Sequence, residues 1–188
     1  MRERLINAAV SVFSKKGFYK ASMDDIAAEA EVAKGTLYYY FKNKSELFKT
    51  VVVEGINYLT DELIKIVNNS NDSIENIMKL LIKKNIDFYL EYHELANIVL
   101  HEITNGIDED VLNEIITAKD RYISFLADLL SQGYDQGIIR YSNFNVTAAG
   151  IVGMIDGVCK YYLRNAGSID RKQLIEHVSN IVINGLFP

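Results

Sequence analysis

Residues 22–48 read SMDDIAAEAEVAKGTLYYYFKNKSELF, and this segment holds the clearest structural signals in the sequence. Its pattern predicts two short helices, at 23–30 and 34–41, which a tight turn joins, and a third helix that begins at residue 44. The second helix is short and carries a lysine, a glycine, a threonine and three consecutive tyrosines. Because such a composition does not suit a core helix, we expect this helix to contact something outside the protein.

Capping residues mark where these helices begin. Ser22 stands where an N-cap is expected, with Asp25 in the position that completes a capping box. Asn43 and Glu46 repeat this spacing before the helix that opens at Lys44.

The turn inside the motif departs from the usual residue choices. Glu31 stands where glycine would suit a left-handed backbone, and a left-handed glutamate there would cost about 1 kcal/mol. Ala33 takes the place of a Ser or Thr cap, which would add about 1 kcal/mol. The sequence therefore predicts a weakly held turn.

Helical periodicity continues on both sides of the motif. Apolar residues recur at helical spacing over residues 3–16, and Gly17 predicts a left-handed stop that lets Phe18 pack back on the last turn. Further helices are predicted at 44–66, 73–91, 94–104, 109–136, 145–165 and 170–186. The predicted fold is therefore all-α, with a three-helix helix-turn-helix domain at residues 1–48 and a larger helical domain at residues 49–188.

Composition indicates a cytoplasmic protein with no membrane partner. Cys159 is the one cysteine in 188 residues, so it forms no internal disulfide, as is usual in a reducing compartment. The start MRERL lacks the apolar run of a signal peptide. The apolar run at 141–155 is too short to cross a bilayer.

Charge is divided unevenly along the chain. Residues 1–50 hold nine basic and six acidic residues, a net charge of +3, whereas the remainder holds eleven and nineteen, a net charge of −8. An anionic partner such as DNA would be attracted by the first segment and repelled by the second. Chance fluctuation over a short segment is the alternative explanation.

The residues IAAEAEVAKGTLYYYFKNKSELF, which FYKAS precedes, resemble the DNA-binding domain of the TetR/AcrR family of bacterial transcriptional regulators. The resemblance covers roughly residues 3–50. It rests on the run G-T-L-Y-x-x-F-x-x-K-x-x-L, which falls on Gly35, Thr36, Leu37, Tyr38, Phe41, Lys44 and Leu47. It implies a homodimeric repressor whose third helix enters the major groove of a palindromic double-stranded DNA operator and which a small molecule in the C-terminal domain releases.

The resemblance and the side-chain chemistry together predict the DNA contacts. Lys34 and Gly35 stand in the first turn of the recognition helix, where lysine suits the O6 and N7 acceptors of guanine. Tyr39 is expected to face the groove, and Lys44, at a helix N-terminus, is expected to anchor a phosphate. For Tyr38, packing against the first helix is an equal alternative to a phosphate contact. The predicted contacts are Ser22, Lys34, Gly35, Thr36, Tyr38, Tyr39, Tyr40 and Lys44.

A dimer interface is predicted in the last two helices. The helix at 145–164 is apolar nearly all round and holds three glycines that allow close helix approach, and the last helix has a second apolar stripe. An internal core pair is the alternative. The predicted interface residues are Gly150, Gly153, Asp156, Gly157, Val178, Ile181 and Val182, of which Asp156 is expected to form a hydrogen bond across the dimer.

A pocket for a lipophilic or aromatic effector is predicted in the C-terminal half, lined by Tyr89, Tyr92, His93, His101, Tyr122 and Tyr161. The pairs His93-Glu94 and His101-Glu102 do not have a recognised metal-ligand spacing, so neither a metal nor a cofactor is expected. Phosphate-binding loops, nucleophile elbows and paired catalytic carboxylates are not found in the sequence, which argues against an enzyme. The competing hypothesis is a helical small-molecule-binding or adaptor protein whose helix-turn-helix has lost its affinity for DNA.

Overall fold

The computed structural model describes residues 1–93, 95–96, 109–165 and 169–187. These residues form helices and the turns between them, without a β-strand, so the predicted all-α class is confirmed. The helix predicted at 94–104 lies mostly outside the described residues, although residues 93, 95 and 96 are helical. The longer described helices are α1 Arg2–Lys20, α2 Met23–Glu29, α3 Lys34–Tyr40, α4 Lys44–Asn69, α5 Ile74–Glu91, α6 Glu109–Asp135, α7 Phe144–Arg164 and α8 Arg171–Leu186.

The chain divides into two compact units. Unit 1 comprises Met1–Asn57 and Tyr92–Lys119, and unit 2 comprises Tyr58–Glu91 and Asp120–Pro188. Unit 1 therefore extends beyond the predicted N-terminal domain, because a segment distant in sequence packs into the same core. The assignment of DNA binding to residues 1–48, and of effector binding and dimerisation to residues 49–188, stays a prediction.

A cluster of phenylalanines lies at the centre of unit 1. The ring centroid of Phe48 is 5.3 Å from that of Phe13, in an edge-to-face arrangement, and 4.9 Å from that of Phe18. Such pairs add to the free energy that burial of the rings already supplies. Further buried residues of this core are Leu5, Ala9, Ile26, Leu37, Phe41, Leu47, Leu95, Val111 and Ile115.

Gly17 has the predicted positive φ, but the first helix does not stop there as the sequence predicts. Its φ of 72° lies in the region that favours glycine, and it introduces a kink before the helix continues to Lys20. The kink turns Phe18 into the core, where its ring centroid lies 6.0 Å from that of Phe13. The backbone conformation of Gly17 thus places the Phe18 ring in the core of unit 1.

The core of unit 2 corrects part of the predicted dimer interface. Helix α8 places Leu174, Val178, Val182 and Leu186 four residues apart along one buried face. Val178 is 1% and Val182 4% exposed, so both pack inside their own chain and the prediction that they form an intermolecular contact is wrong. Ile181 lies outside this buried stripe and is 60% exposed.

Helix α7 has one buried and one open face. Ala148, Ile155 and Cys159 are buried in the core of unit 2, and burial raises the pKa of the Cys159 thiol to about 12. The open face consists of small and apolar residues, namely Val146, Ala149, Gly150, Gly153, Gly157 and Tyr161. Among the described helices, none is long and apolar enough to cross a membrane.

Candidate nucleic-acid interface

Helix α3 presents two chemically different faces. Leu37 is fully buried, and Phe41, which follows the helix directly, is buried with it in the core of unit 1. Tyr39, on the other side, is 84% exposed. A helix of seven residues is too short to be stable alone, so the burial of Leu37 and Phe41 both holds α3 and orients its outer face.

The turn between α2 and α3 is strained as the sequence predicts. Glu31 has a φ of 50°, in the left-handed region. The Arg4 guanidinium donates to the Glu31 carboxylate at 3.1 Å and to its carbonyl oxygen at 3.4 Å. Sequence reasoning missed this brace, because 27 residues separate the two partners.

Caps at the two helices after the turn differ. Ala33 makes no side-chain capping bond, as predicted. The Asn43 side chain accepts a hydrogen bond from the Glu46 amide at 2.8 Å, which confirms the predicted cap of α4. In a capping box, the Glu46 carboxylate would accept a hydrogen bond from the Asn43 amide. It accepts instead from the amide of the preceding residue, Lys42, at 2.7 Å.

Ser22 and Asp25 form the predicted capping box at α2. The Asp25 amide donates to Ser22 Oγ at 3.1 Å, and the Ser22 amide donates to Asp25 Oδ2 at 3.1 Å. A hydrogen bond from Lys16, with help from Ser22, lowers the pKa of Asp25 to about 2. Because the Ser22 hydroxyl also donates to Asp25, at 2.8 Å, its contact with a phosphate stays a prediction.

Lys34 is paired with an acidic residue on the neighbouring helix. Its Nζ lies 2.6 Å from Asp24 Oδ1, and both side chains are exposed. The hydrogen bond to Asp24 raises the pKa of Lys34 above its ordinary value. The ammonium also lies 5.9 Å from the centre of the Tyr38 ring. The predicted base-reading lysine is therefore at the surface, but its position is restrained.

Gly35 and the tyrosines complete the outer face of α3. A Cβ added to Gly35 would meet no atom within 4 Å, so the fold does not require glycine at this position. Tyr38 and Tyr40 are exposed like Tyr39, and the centroids of the Tyr39 and Tyr40 rings lie 5.2 Å apart in an edge-to-face arrangement. Thr36 is half-buried. Predicted contacts of α3 thus share one accessible surface, apart from this threonine.

The Lys44 side chain is directed into the protein, which corrects its predicted role as a phosphate anchor. Its ammonium donates to the carbonyl oxygens of Phe18 at 2.7 Å, Ala21 at 2.9 Å and Tyr19 at 3.3 Å. It also lies 4.5 Å from the centre of the Phe18 ring. A lysine has three N–H donors, and three carbonyls occupy them here. Burial lowers the pKa of Lys44, in agreement with an ammonium withdrawn from water.

The predicted effector-binding residues are divided between the two units, and their role in binding an effector stays a prediction. Tyr92 and His93 belong to unit 1, whereas Tyr89, Tyr122 and Tyr161 belong to unit 2. Tyr161 is exposed, and His101 lies outside the described residues. The sequence shows that these side chains are aromatic, but it does not show in which unit each one packs or whether it is exposed.

Two tyrosines of unit 2 are nevertheless buried at their hydroxyls. The Tyr122 hydroxyl donates to Asn85 Oδ1, and burial raises its pKa. The Tyr89 hydroxyl and Asp156 Oδ1 have no hydrogen-bond partner among the described residues. Burial, followed by the nearby Asp156 carboxylate, raises the pKa of Tyr89. Asp156 pairs through Oδ2 with Lys160 of its own helix at 2.9 Å, so its predicted bond across a dimer stays a prediction.

Other possible sites carry less chemistry. Among the described residues, no group of three or more His, Cys, Asp or Glu side chains could hold a metal ion. An open groove of about 530 Å³ lies beside α1 and α2 and is lined by Met1, Glu3, Arg4, Asn7, Ala8, Ser11, Glu29 and Ala30. Its Glu29 carboxylate is occupied by Ser11 at 2.6 Å and Lys15 at 3.2 Å.

Comparison with protein families accounts for this architecture. Residues 5–51 match the model of bacterial regulatory proteins of the tetR family, and residues 71–186 match that of the tetracyclin repressor-like C-terminal domain. The chain belongs to the TetR family. It is therefore a ligand-responsive, DNA-binding transcriptional regulator, as the resemblance of residues 3–50 implies.

Two individual relatives of this TetR-family regulator match nearly its whole length, and a third matches half of it. A fatty acid metabolism regulator protein of Bacillus subtilis (strain 168) is 25% identical over 186 residues, which cover 97% of this chain and 94% of that protein. The biofilm operon negative transcriptional regulator IcaR of Staphylococcus epidermidis is 32% identical over 95 residues, covering 50% of this chain and 51% of that protein. The solved structure of the fatty acid degradation regulator FadR from Bacillus halodurans has a TM-score of 0.82 at 25% identity, covering 96% of this chain and 93% of that chain.

The Lys44 contacts predict a role in stability. Lys44→Ala leaves the carbonyls at the end of α1 without their charged donor, and we expect the free energy of unfolding to fall by about 2–3 kcal/mol in urea titrations. Lys42→Ala, an exposed lysine two residues away, is the control and should change it by less than about 0.5 kcal/mol. Equal stabilities of Lys44→Ala and Lys42→Ala, together with a loss of about one unit of salt slope in DNA binding, would restore Lys44 as a phosphate anchor.

Proposed function

We propose that this regulator reads an operator through the outer face of α3, placed in the major groove. One observation carries the proposal: α3 buries Leu37 completely and leaves Tyr39 84% exposed on the other side. This short helix matches the width of the major groove. It offers the groove a lysine, a glycine that exposes the backbone, and a protruding tyrosine.

Each residue of this face has a distinct proposed task. Lys34 donates to the O6 and N7 of guanine, and Tyr39 contacts base edges. Gly35 allows the α3 backbone to approach the DNA closely, which its open surroundings support. Tyr38 and Tyr40 donate their hydroxyls to phosphates on either side. Thr36, half-buried, contributes a phosphate or thymine-methyl contact at the edge of the surface.

A homodimer through α7 and α8 fits the exposed surface of unit 2. The open face of α7 contains Gly150, Gly153 and Gly157, on each of which an added Cβ would meet no atom within 4 Å. Exposed apolar side chains flank it, among them Val146 on α7, and Ile181 stands exposed on α8. Small residues let two helices approach closely, so these faces suit packing around a two-fold axis. Two α3 helices about 34 Å apart would then read a palindrome.

The proposed effector is a long-chain fatty acyl compound, as the free acid or the coenzyme A thioester, whose binding releases the operator. Support comes from the relatives named for fatty acid metabolism and degradation, which share 25% identity over nearly the whole chain. Helices α5, α7 and α8 of unit 2 also share an apolar core, and apolar side chains predominate in the sites of lipophilic ligands. IcaR, named a negative regulator, supports repression as the sign of the response.

A change at Gly35 tests the proposed DNA surface. Gly35→Ala should raise the free energy of unfolding by up to about 1 kcal/mol, because alanine favours a helix and has room here. It should weaken binding to the duplex that wild-type protein selects from a random pool, by about 1–3 kcal/mol, because a methyl group separates the backbone from the bases. The measurement is fluorescence anisotropy at two salt concentrations.

Asn76→Ala on α5 is the control, because Asn76 is exposed on a helix that alanine favours as well. It should leave affinity for the duplex unchanged. Wild-type affinity in Gly35→Ala would contradict the proposed approach of α3 to DNA. If wild-type protein selects no duplex and shows no salt-sensitive binding to DNA, the proposal that it reads an operator is overturned.

The effector proposal predicts that palmitoyl-CoA or palmitate weakens operator binding. A coupling free energy of about 1–3 kcal/mol, typical of allosteric proteins, corresponds to roughly a 5- to 150-fold loss of affinity. Coenzyme A and acetyl-CoA are the controls and should have no effect, because they lack the long chain. Titration of the protein–DNA complex with each compound separates the free acid from the thioester. Unchanged affinity with both long-chain compounds would refute the fatty acyl class.

A further inference from the structure

We infer that Asp24 is a positioning residue that restrains Lys34 and thereby sets the sequence specificity of this regulator. The inference deepens the operator reading proposed above and rests on it. It assigns a role in recognition to an acidic residue of α2, outside the recognition helix.

The geometry holds the lysine from two sides. Lys34 Nζ lies 2.6 Å from Asp24 Oδ1, and the same ammonium lies 5.9 Å from the centre of the Tyr38 ring. The side chains of Lys34 and Asp24 are 59% and 64% exposed, so the pair lies at the surface, where DNA would approach. With one N–H given to Asp24, two donors of the ammonium remain for an acceptor outside the protein.

Capping does not require Asp24. The cap of α2 is Ser22, and Asp25 completes the capping box on both sides. A carboxylate in the first turn does favour the helix dipole, and this is the alternative explanation of Asp24. That explanation requires no contact with Lys34, whereas the structure shows one at 2.6 Å. The raised pKa of Lys34, due first to its hydrogen bond with Asp24, agrees with a lysine held in this pair.

We expect Asp24 to increase the selectivity of the protein among DNA sequences and to lower its affinity for DNA in general. An unrestrained lysine on an exposed helix reaches any nearby phosphate, and phosphate contacts carry no sequence information. A lysine held by Asp24 keeps its free donors in one direction, where they suit the two acceptors of guanine. The Asp24 carboxylate also repels phosphates, which weakens binding to every sequence alike. Only a sequence that offers Lys34 a base contact offsets this loss, so the difference in affinity between sequences grows.

The test compares Asp24→Asn with Asp24→Glu and with Glu3→Gln, an exposed first-turn carboxylate of α1. Each protein selects duplexes from a random pool, and its affinities for the wild-type operator and for a scrambled duplex are measured over a range of salt. Asp24→Asn should bind the scrambled duplex about threefold or more tightly, gain less on the operator and lose base preference at the position that Lys34 reads. Asp24→Glu should keep the preference, and Glu3→Gln should resemble wild-type protein.

Lys34→Ala supplies a second readout. If Asp24 acts through Lys34, adding Asp24→Asn to Lys34→Ala should change no base preference beyond that of Lys34→Ala. If wild-type protein and Asp24→Asn select the same operator with the same base preferences, the inference is overturned, but the proposed reading of the operator by α3 is not. A wild-type protein that selects no duplex would overturn both.

Discussion

Burial of Leu37 and Phe41 among the phenylalanines of unit 1 is the constraint on which the candidate interface depends. Helix α3 has seven residues, no side-chain N-cap and a strained residue before it, so its own hydrogen bonds do not keep it folded. Once Leu37 faces the core, the helical period fixes the direction of its neighbours and turns Tyr39 toward solvent. The packing of Leu37 and Phe41 inside the protein thus determines which side chains of α3 face outward.

Three polar contacts hold the elements around that helix. The Arg4 guanidinium pairs with the left-handed Glu31, Lys44 binds the carbonyls at the end of α1, and Asp24 pairs with Lys34. Each joins two elements of unit 1, and each is made by a charged side chain that the sequence alone presents as a candidate for DNA or solvent. At α3, by contrast, Gly35 occupies an open position where alanine would favour the helix, so the packing of unit 1 does not account for this glycine.

Local signals in the sequence predicted much of this structure, and contacts between distant residues account for what they missed. The caps at Ser22 and Asn43 and the positive φ of Gly17 depend on neighbouring residues, so their patterns were sufficient, although the helix continues past Gly17. The role of Lys44 depends on carbonyls 23–26 residues away, which no local pattern reveals. In α8, periodicity identified an apolar helix, but only the packing showed that Val182 faces its own core and Ile181 faces solvent.

The central claim is that α3 meets DNA through its outer face. Hydrogen–deuterium exchange of the backbone amides, measured with and without a duplex selected by this protein, tests it most directly. We expect bound duplex to slow exchange most strongly at residues 33–40 and in the first turn of α2, because these amides leave water and a frayed helix becomes ordered. Slowed exchange confined to other helices, with residues 33–40 unchanged, would contradict it.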